Sequence, residues 1–315
     1  VDPENPEKPF SDRHYVECLR TGADAFGWAD RNTTPGQTRD GQWLIGHGMA
    51  GAYRGGPAMK SAARVRLQPS GRLIVETDMT DIGTGSYTII AQTAAEAMGL
   101  TVDEVEVRLG DSDYPVSAGS GGQWGAASST GGVYAACVKL REQLAEKADM
   151  GQVDALTFAD GSVRNGDAEK SFAELTADGE ITAEGEINFG DFREDYVVST
   201  FGAHFVELGV HVGTGQIRLR RMLAVCDAGR IINPKLAKSQ LEGMVMGVGA
   251  AMLEDAVVDK ARGFFANHDL AGYEVPVHLD IPDQEVIFLD TVDPVSSPLK
   301  AKGVGELGLC GVAAA

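Results

Sequence analysis

Cysteine is scarce in this chain. The four cysteines among 315 residues, Cys18, Cys137, Cys226 and Cys310, are scattered singly, with no CxxC pair. That spacing excludes an iron–sulfur or structural-zinc framework carried by the chain itself. Isolated cysteines in apolar segments read instead as reduced core residues. Cations are short too: Lys+Arg number 27 against Asp+Glu 46, a formal net charge of −19. That balance argues against a nucleic-acid backbone or an anionic membrane as partner. No apolar run approaches bilayer-spanning length, and no charged-then-apolar leader opens the sequence. There is no GxxxxGK[ST] loop, and Gly83 and Gly85 lack the later glycine of a dinucleotide fingerprint. With no metal-ligand cluster, redox chemistry would have to come from something the chain binds.

What is present is a globular composition, 43% hydrophobic and 23% charged, long enough for one large domain or two smaller ones. The Pro-rich, charged start Val1 to Pro9 and the abrupt Ala313-Ala314-Ala315 read as cut ends of a longer polypeptide. Ser11-Asp12-Arg13 is expected to cap an amphipathic helix running to Phe26. A hairpin is expected around Gln68-Pro69-Ser70-Gly71, a helix from Tyr87 to Met98, and a strand from Val105 to Leu109. Ser117 to Gly132 reads as a loop leading to a helix from Val133 to Ala148. Residues 149–195, acidic with repeated Asp-Gly turns, read as a connector. Strands are expected at Tyr196–Thr200, His204–Val212 and Ile217–Cys226, and Pro234 as the first residue of a helix. The boundaries that follow are 1–38 linker and helix, 39–148 first subdomain, 149–195 connector, and 196–315 second subdomain. The fold class is α+β, two related strand–loop–helix subdomains with mixed sheets. The relation is an echo in the sequence: a strand ends before Asp81-x-Gly83 and a helix, and another before Asp227-x-Gly229 and a helix.

Three Gly-rich turns, Asp81 to Ser86, Gly119 to Gly132 and Asp227 to Lys235, together with the loop around Glu306, make four cradles suited to a large phosphate-bearing ligand. Arg230 and Lys235 could meet phosphate charge. Glu306 stands alone among glycines and apolar residues in Lys302-Gly303-Val304-Gly305-Glu306-Leu307. Those neighbours would strip water from the carboxylate and raise its pKa toward that of a working base. The competing reading is an acid at the start of a helix. His204, His211, Trp124 and the His268-Asp269 pair are more readily structural.

Four motifs in order, Asp81-Ile82-Gly83-Thr84-Gly85, Gln123-Trp124-Gly125-Ala126-Ala127-Ser128-Ser129, Asp227 to Pro234 and Lys302 to Glu306, resemble those of the molybdenum hydroxylases, the xanthine dehydrogenase and aldehyde oxidase superfamily. Gly308-Leu309-Cys310-Gly311 and Asn267 to Leu270 look most like the large subunit of bacterial aldehyde oxidases. The resemblance implies a second molybdopterin-binding domain, with the first lying upstream. It implies molybdopterin cytosine dinucleotide as cofactor, the metal held by the pterin with no direct protein ligand, and 2Fe-2S and FAD groups on partner subunits. Ile82, Gly83, Thr84, Gly125 and Ala126 would contact the pterin. Gly229, Arg230, Ile231, Ile232, Asn233, Pro234, Lys235, Ser239 and Gln240 would hold pyrophosphate and nucleotide. Lys302, Gly303, Val304 and Gly305 would approach the molybdenum end. Glu306 falls on the family's general base for hydroxylating aldehydes to carboxylic acids with water as oxygen source. A substrate-placing arginine would lie upstream, so the segment alone would be inactive. Alternatives are an N-heterocycle or xanthine dehydrogenase of the same superfamily, and a non-catalytic phosphate-ligand module. Relatives in the cytoplasm and relatives exported with a partner subunit would look alike here.

Overall fold

Alternation of small and branched side chains builds the first sheet. In Ser61-Ala62-Ala63-Arg64-Val65-Arg66-Leu67 every second residue is buried, the period a half-buried strand requires. The computed structural model describes residues 6–188 and 195–315. Its first half runs through α1 (Tyr15–Phe26), β1 (Arg39–Asp40), β2 (Trp43–Gly55), β3 (Ser61–Leu67), β4 (Leu73–Thr77), α2 (Ser86–Met98), β5 (Val105–Leu109) and α3 (Gly125–Ala148). Then come β6 (Thr157–Ala159), β7 (Ser162–Asn165), β8 (Ala168–Ser171), α4 (Phe172–Leu175) and β9 (Ile181–Ile187). The second half holds β10 (Ser199–His211), β11 (Ile217–Asp227), α5 (Pro234–Leu241), α6 (Met244–Met252), β12 (Val258–Asp259), β13 (Phe264–Phe265), β14 (Gln284–Phe288) and α7 (Leu307–Val312).

The first sheet has the order β5-β4-β3-β9 and the second β1-β2-β10-β11-β14. Each is mixed. β4 and β5 pair in parallel across α2, and β11 and β14 pair in parallel across α5 and α6, while the other pairings are antiparallel. The echo read in the sequence is therefore structural: two strand–loop–helix–strand units of one design. The expected α+β class with mixed sheets holds. α2 and α3 cover the first sheet over a core that includes Val65, Leu67, Ile90, Met98, Leu140 and Leu144. α1 packs Cys18 and Phe26 against Phe205, Leu223 and Val225 of the second sheet.

Four expectations shift. Helix α1 starts at Tyr15, because Ser11 donates to Asp293 Oδ2 at 2.6 Å and the Phe10–Ser11 backbone pairs with Val197. The Ser/Gly stretch from 125 to 132 is helix, not loop. Its small residues let α3 lie on the sheet: a Cβ on Gly132 would stand 2.8 Å from Ser61 O, and one on Gly185 of β9 only 2.1 Å from Ala136 N. The obstacle at Gly185 is backbone and cannot swing aside, so Gly185→Ala is expected to cost about 1–3 kcal/mol of stability; urea unfolding of the two forms measures it. The acidic stretch after 149 is also built. Its Asp160-Gly161 and Asn165-Gly166 turns close the β6-β7-β8 hairpins, and β9 pairs with β3 along its whole length. Tight Asp-Gly and Asn-Gly turns are hairpin signals as much as linker signals. The end of that stretch, 189–194, lies outside the described residues.

One strand replaces two at 196–212. β10 runs unbroken because Phe201, Gly202 and Ala203 pair with β2 on one side and β11 on the other. Gly202 permits this: a Cβ there would sit 2.9 Å from Val225 O and 3.2 Å from Leu307 Cδ2.

Candidate functional site

The two echoed units bring their helix starts together. A Cβ on Gly85, just before α2, would lie 2.6 Å from Leu236 Cδ1 in α5, so the missing side chain is what lets the two helices meet. Asn233 Nδ2 donates to Gln92 Oε1 at 3.0 Å, and Arg230 Nη2 donates to both oxygens of Glu96 at 2.6 and 2.8 Å, tying the α5 loop to α2. Asn233 Oδ1 also accepts from Leu236 N–H, capping α5, with Pro234 at its first position.

Between these parts run two adjoining open clefts, with about 180 and 80 Å³ accessible to solvent. Ile82, Thr84, Gly125, Ala126, Gln240 and the run Gly303 to Glu306 line the first. Arg230, Ile231, Ile232, Asn233, Gln240 and Lys302 line the second, and Thr84, Ala126, Gln240 and Val304 are common to both. All four expected motifs thus contribute. Gly83, Gly229, Pro234, Lys235 and Ser239 do not line either cleft. Gly229 turns with positive φ beneath Lys300 O and bridges to Ala301, while Pro234, Lys235 and Ser239 are exposed.

Three of the expected cofactor contacts are occupied by the chain itself. The N–H groups of Gly83 and Thr84 donate to Asp81 Oδ1 at 2.8 and 3.0 Å. Arg230 is engaged by Glu96. Lys302 is fully buried, its Nζ 3.6 Å from Asp227 Oδ2 and 3.6 Å from Asp293 Oδ2. Its charge serves those aspartates, and only its backbone side faces a cleft. What stays open is the start of α3. No side chain caps it, and the N–H groups of Gly125, Ala126 and Ala127 meet no acceptor among the described residues. The start of a long helix left open in this way can accept an anion. Trp124 anchors the approach: its Nε1–H donates to Ala118 O at 3.2 Å and its ring lies over Gly122.

Glu306 occupies the position before α7, and its side chain makes no capping bond. The helix-start reading is right about its place and wrong about the carboxylate's task. That group pairs with the guanidinium of Arg54 on β2, with 36% of the Glu306 side chain exposed and 45% of Arg54. The expected apolar, water-stripped surroundings are replaced by a cation and an open side. Two residues of this site were given no role in the sequence reading, although Gln123 stands in one of its motifs. Arg54 is placed by pairing of β2 with β10 far along the chain, and no local signal announces it. Gln123 had one: a polar residue between Gly122 and Trp124 in an otherwise glycine-rich run.

Of the remaining candidates, Asp269 Oδ1 accepts from Ala271 and Gly272 N–H, and His268 Nδ1 lies 3.1 Å from Phe265 O, a capped turn away from both clefts. Cys18, Cys137 and Cys226 are buried as expected, but Cys310 is exposed beside Glu306. His204 is 1% exposed under α7, where a Cβ on Gly311 would be 2.3 Å from its Nδ1. Burial pushes its pKa down to about 4, which the Gly308 backbone offsets only in part. The unfolded chain takes up this proton near pH 6.5 and the folded one only near 4. Stability is therefore full above pH 6.5 and falls on acidification, by on the order of 3 kcal/mol once both forms are protonated. Urea unfolding at pH 7 and pH 4 should show a smaller acid loss in His204→Leu than in the parent.

Comparison with known proteins identifies the family. A family model described as molybdopterin cofactor-binding domain matches residues 21–282. The chain is 62% identical over 316 aligned residues to the aldehyde oxidoreductase molybdenum-binding subunit PaoC of Escherichia coli O157:H7, covering 100% of this chain and 43% of that protein. It is 30% identical to the probable hypoxanthine oxidase XdhD of Escherichia coli K12, over 95% of this chain and 32% of that one. The chain thus spans less than half the length of these relatives. Among solved structures, a Cu,Mo-CO dehydrogenase shares the fold with a TM-score of 0.86 at 20% identity, over 99% of this chain and 44% of that one. With four ordered motifs lining one pair of clefts and a family model spanning most of its length, the chain belongs to the molybdopterin cofactor-binding domain family, as its resemblance to the molybdenum hydroxylases implied.

Proposed function

We propose that the chain is the cofactor-binding part of a molybdenum-dependent aldehyde oxidoreductase that makes carboxylic acids from aldehydes with water as oxygen source, and that Glu306 is its general base. The observation that carries this is the Glu306–Arg54 pair at the open edge of a cleft built by all four motifs. The 62% identity to a subunit named for aldehydes, against 30% to one named for hypoxanthine, supports an aldehyde as substrate.

The donor set fits a pterin dinucleotide. The uncapped start of α3 offers N–H groups to the cofactor's acceptors, Gly303 and Gly305 line the opposite wall, and the adjoining cleft at Arg230 to Asn233 continues from it through Thr84, Ala126, Gln240 and Val304. Ile82, Thr84, Gly125 and Ala126 would hold the pterin, and Gln240, facing both clefts, would bond where the two parts join. The cytosine dinucleotide form is part of the proposal. When bound, the cofactor supplies the two-electron redox chemistry.

The chain's own residues do the rest. The Glu306 carboxylate accepts the proton of the water-derived oxygen that adds to the carbonyl carbon, a service worth roughly a hundred- to ten-thousand-fold in rate. The Arg54 guanidinium orients that carboxylate and places positive charge where substrate oxygen gains negative charge. Electrons would leave through 2Fe-2S and FAD groups on partner subunits. The intact complex is expected to oxidise aromatic aldehydes, to leave purines untouched, and to release CMP on acid hydrolysis. Turnover of purines without aldehydes would sink the substrate assignment, and absence of CMP the dinucleotide.

A further inference from the structure

We infer that Gln123 is the positioning residue of this site: one buried amide that holds Glu306 and Arg54 in register. The inference rests on the reading of Glu306 as the base.

Gln123 is 8% exposed, at the meeting of three chain segments distant in sequence. Its Nε2 donates to Thr200 Oγ1 at 2.8 Å and faces the carbonyl oxygens of Arg54 and Gly55 at 3.3 Å each. Thr200 Oγ1 gives its own proton to Arg54 O at 3.2 Å, so its lone pair is free to accept from the amide. At the other end, Gln123 Oε1 accepts the N–H of Glu306 at 3.2 Å. The orientation of the amide is fixed by chemistry, since its nitrogen meets only acceptors and its oxygen meets a donor. The Glu306 N–H precedes the first residue of α7 and has no intrahelical partner. Gln123 is the only acceptor it meets among the described residues.

The backbone says the same. Gln123 adopts φ +55°, a left-handed conformation that glycine would take without strain. It does so in a stretch that already contains Gly119, Gly121, Gly122 and Gly125. A glycine would suit this turn; the side chain is what the position requires. Gly303 completes the contact, because a Cβ there would fall 1.6 Å from Gln123 O. The backbone amide of the base and the backbone carbonyl of its cationic partner are thus bound to opposite ends of one side chain. Displacement of that amide shifts one against the other.

The test uses the full complex. Gln123→Leu should lower kcat about tenfold to a hundredfold, the scale of a misplacement near 1 Å, with molybdenum content unchanged. Hydrogen exchange at the Glu306 amide should rise at least about tenfold, because its one acceptor is gone, while β10 stays protected. Gln123→Glu supplies a second readout. Its ionised carboxylate cannot donate to Thr200 or Arg54, whereas its neutral form regains a donor at one end, one O–H in place of the two N–H of glutamine, and keeps an acceptor at the other. Its kcat relative to the parent should climb as pH falls, and that of Gln123→Leu should stay flat. Parental kcat and parental exchange in Gln123→Leu would overturn the inference while leaving Glu306 as base. So would equal loss of molybdenum and thermal stability in both variants, which marks a merely structural residue. Full activity in Glu306→Gln alongside fast exchange in Gln123→Leu would sink the base and keep the anchor.

Discussion

Glu306→Gln in the full complex is expected to lower kcat by about a hundred- to ten-thousand-fold, with cofactor content and Tm close to the parent. The two halves of that expectation come from different observations. On the proposed mechanism, the loss follows from removing a carboxylate that lines the first cleft. The retained stability follows from how little else the carboxylate does. It makes no capping bond to α7, and its ion pair is half open, with Arg54 45% exposed. Exposed pairs of this kind contribute about 0–1 kcal/mol. Glutamine keeps the shape, can still bond Arg54 through its carbonyl oxygen, and leaves the backbone N–H on Gln123. Steady-state kinetics, metal analysis and thermal unfolding on one preparation separate the possibilities. A variant that turns over near the parental rate would remove Glu306 as base. One that loses metal and stability together would show the residue to be part of the scaffold.

That separation could not have been made from sequence. The motif showed a carboxylate among glycines, and one of those glycines does permit a close approach, Gly303 against Gln123. Its chemistry was misjudged, because apolar neighbours in sequence are not neighbours in space. Leu307 turns inward onto Ala52 and Leu241, and a strand some 250 residues earlier delivers Arg54. Local signals carried the helices with clear caps and the strands with clear alternation, including the proline-started α5 and the β3–β4 hairpin. They failed where one composition serves two structures. Gly, Ser and Ala between 125 and 132 suit a loop, but they also suit a helix pressed against a sheet, and only β9 crossing beneath decides. Arg230 was read by charge as a phosphate contact and Lys302 by resemblance as a neighbour of the molybdenum end, and their partners Glu96, Asp227 and Asp293 come from other segments. A cation in a glycine turn advertises its charge, not its partner.

Lys302→Met is expected to destabilise the fold by about 3–5 kcal/mol, because it leaves buried carboxylates without a cation. Lys302, Asp227 and Asp293 are all wholly inaccessible. The aspartates are well supplied with other donors: Asp227 accepts from His14 N–H and Thr291 Oγ–H, and Asp293 from Ser11 Oγ–H and Val295 N–H. The ammonium, at 3.6 Å from each, acts by charge rather than by hydrogen bonding. Removing it therefore breaks no hydrogen bond of the side chain and still strands two negative charges in a low-dielectric site. Against a typical total of about 5–15 kcal/mol, that is a large fraction of the stability. Asp293→Asn added to Lys302→Met should recover part of the loss, since it removes one of the stranded charges. The same cluster ties the site together. Lys302 N–H donates to Ala228 O, Arg230 N–H to Lys300 O, and Glu306 follows four residues later. A drop in urea midpoint should thus come with loss of bound molybdenum, in contrast to Glu306→Gln. A Lys302→Met protein as stable as the parent would mean that its hydrogen-bond donors alone suffice to hold the two aspartates.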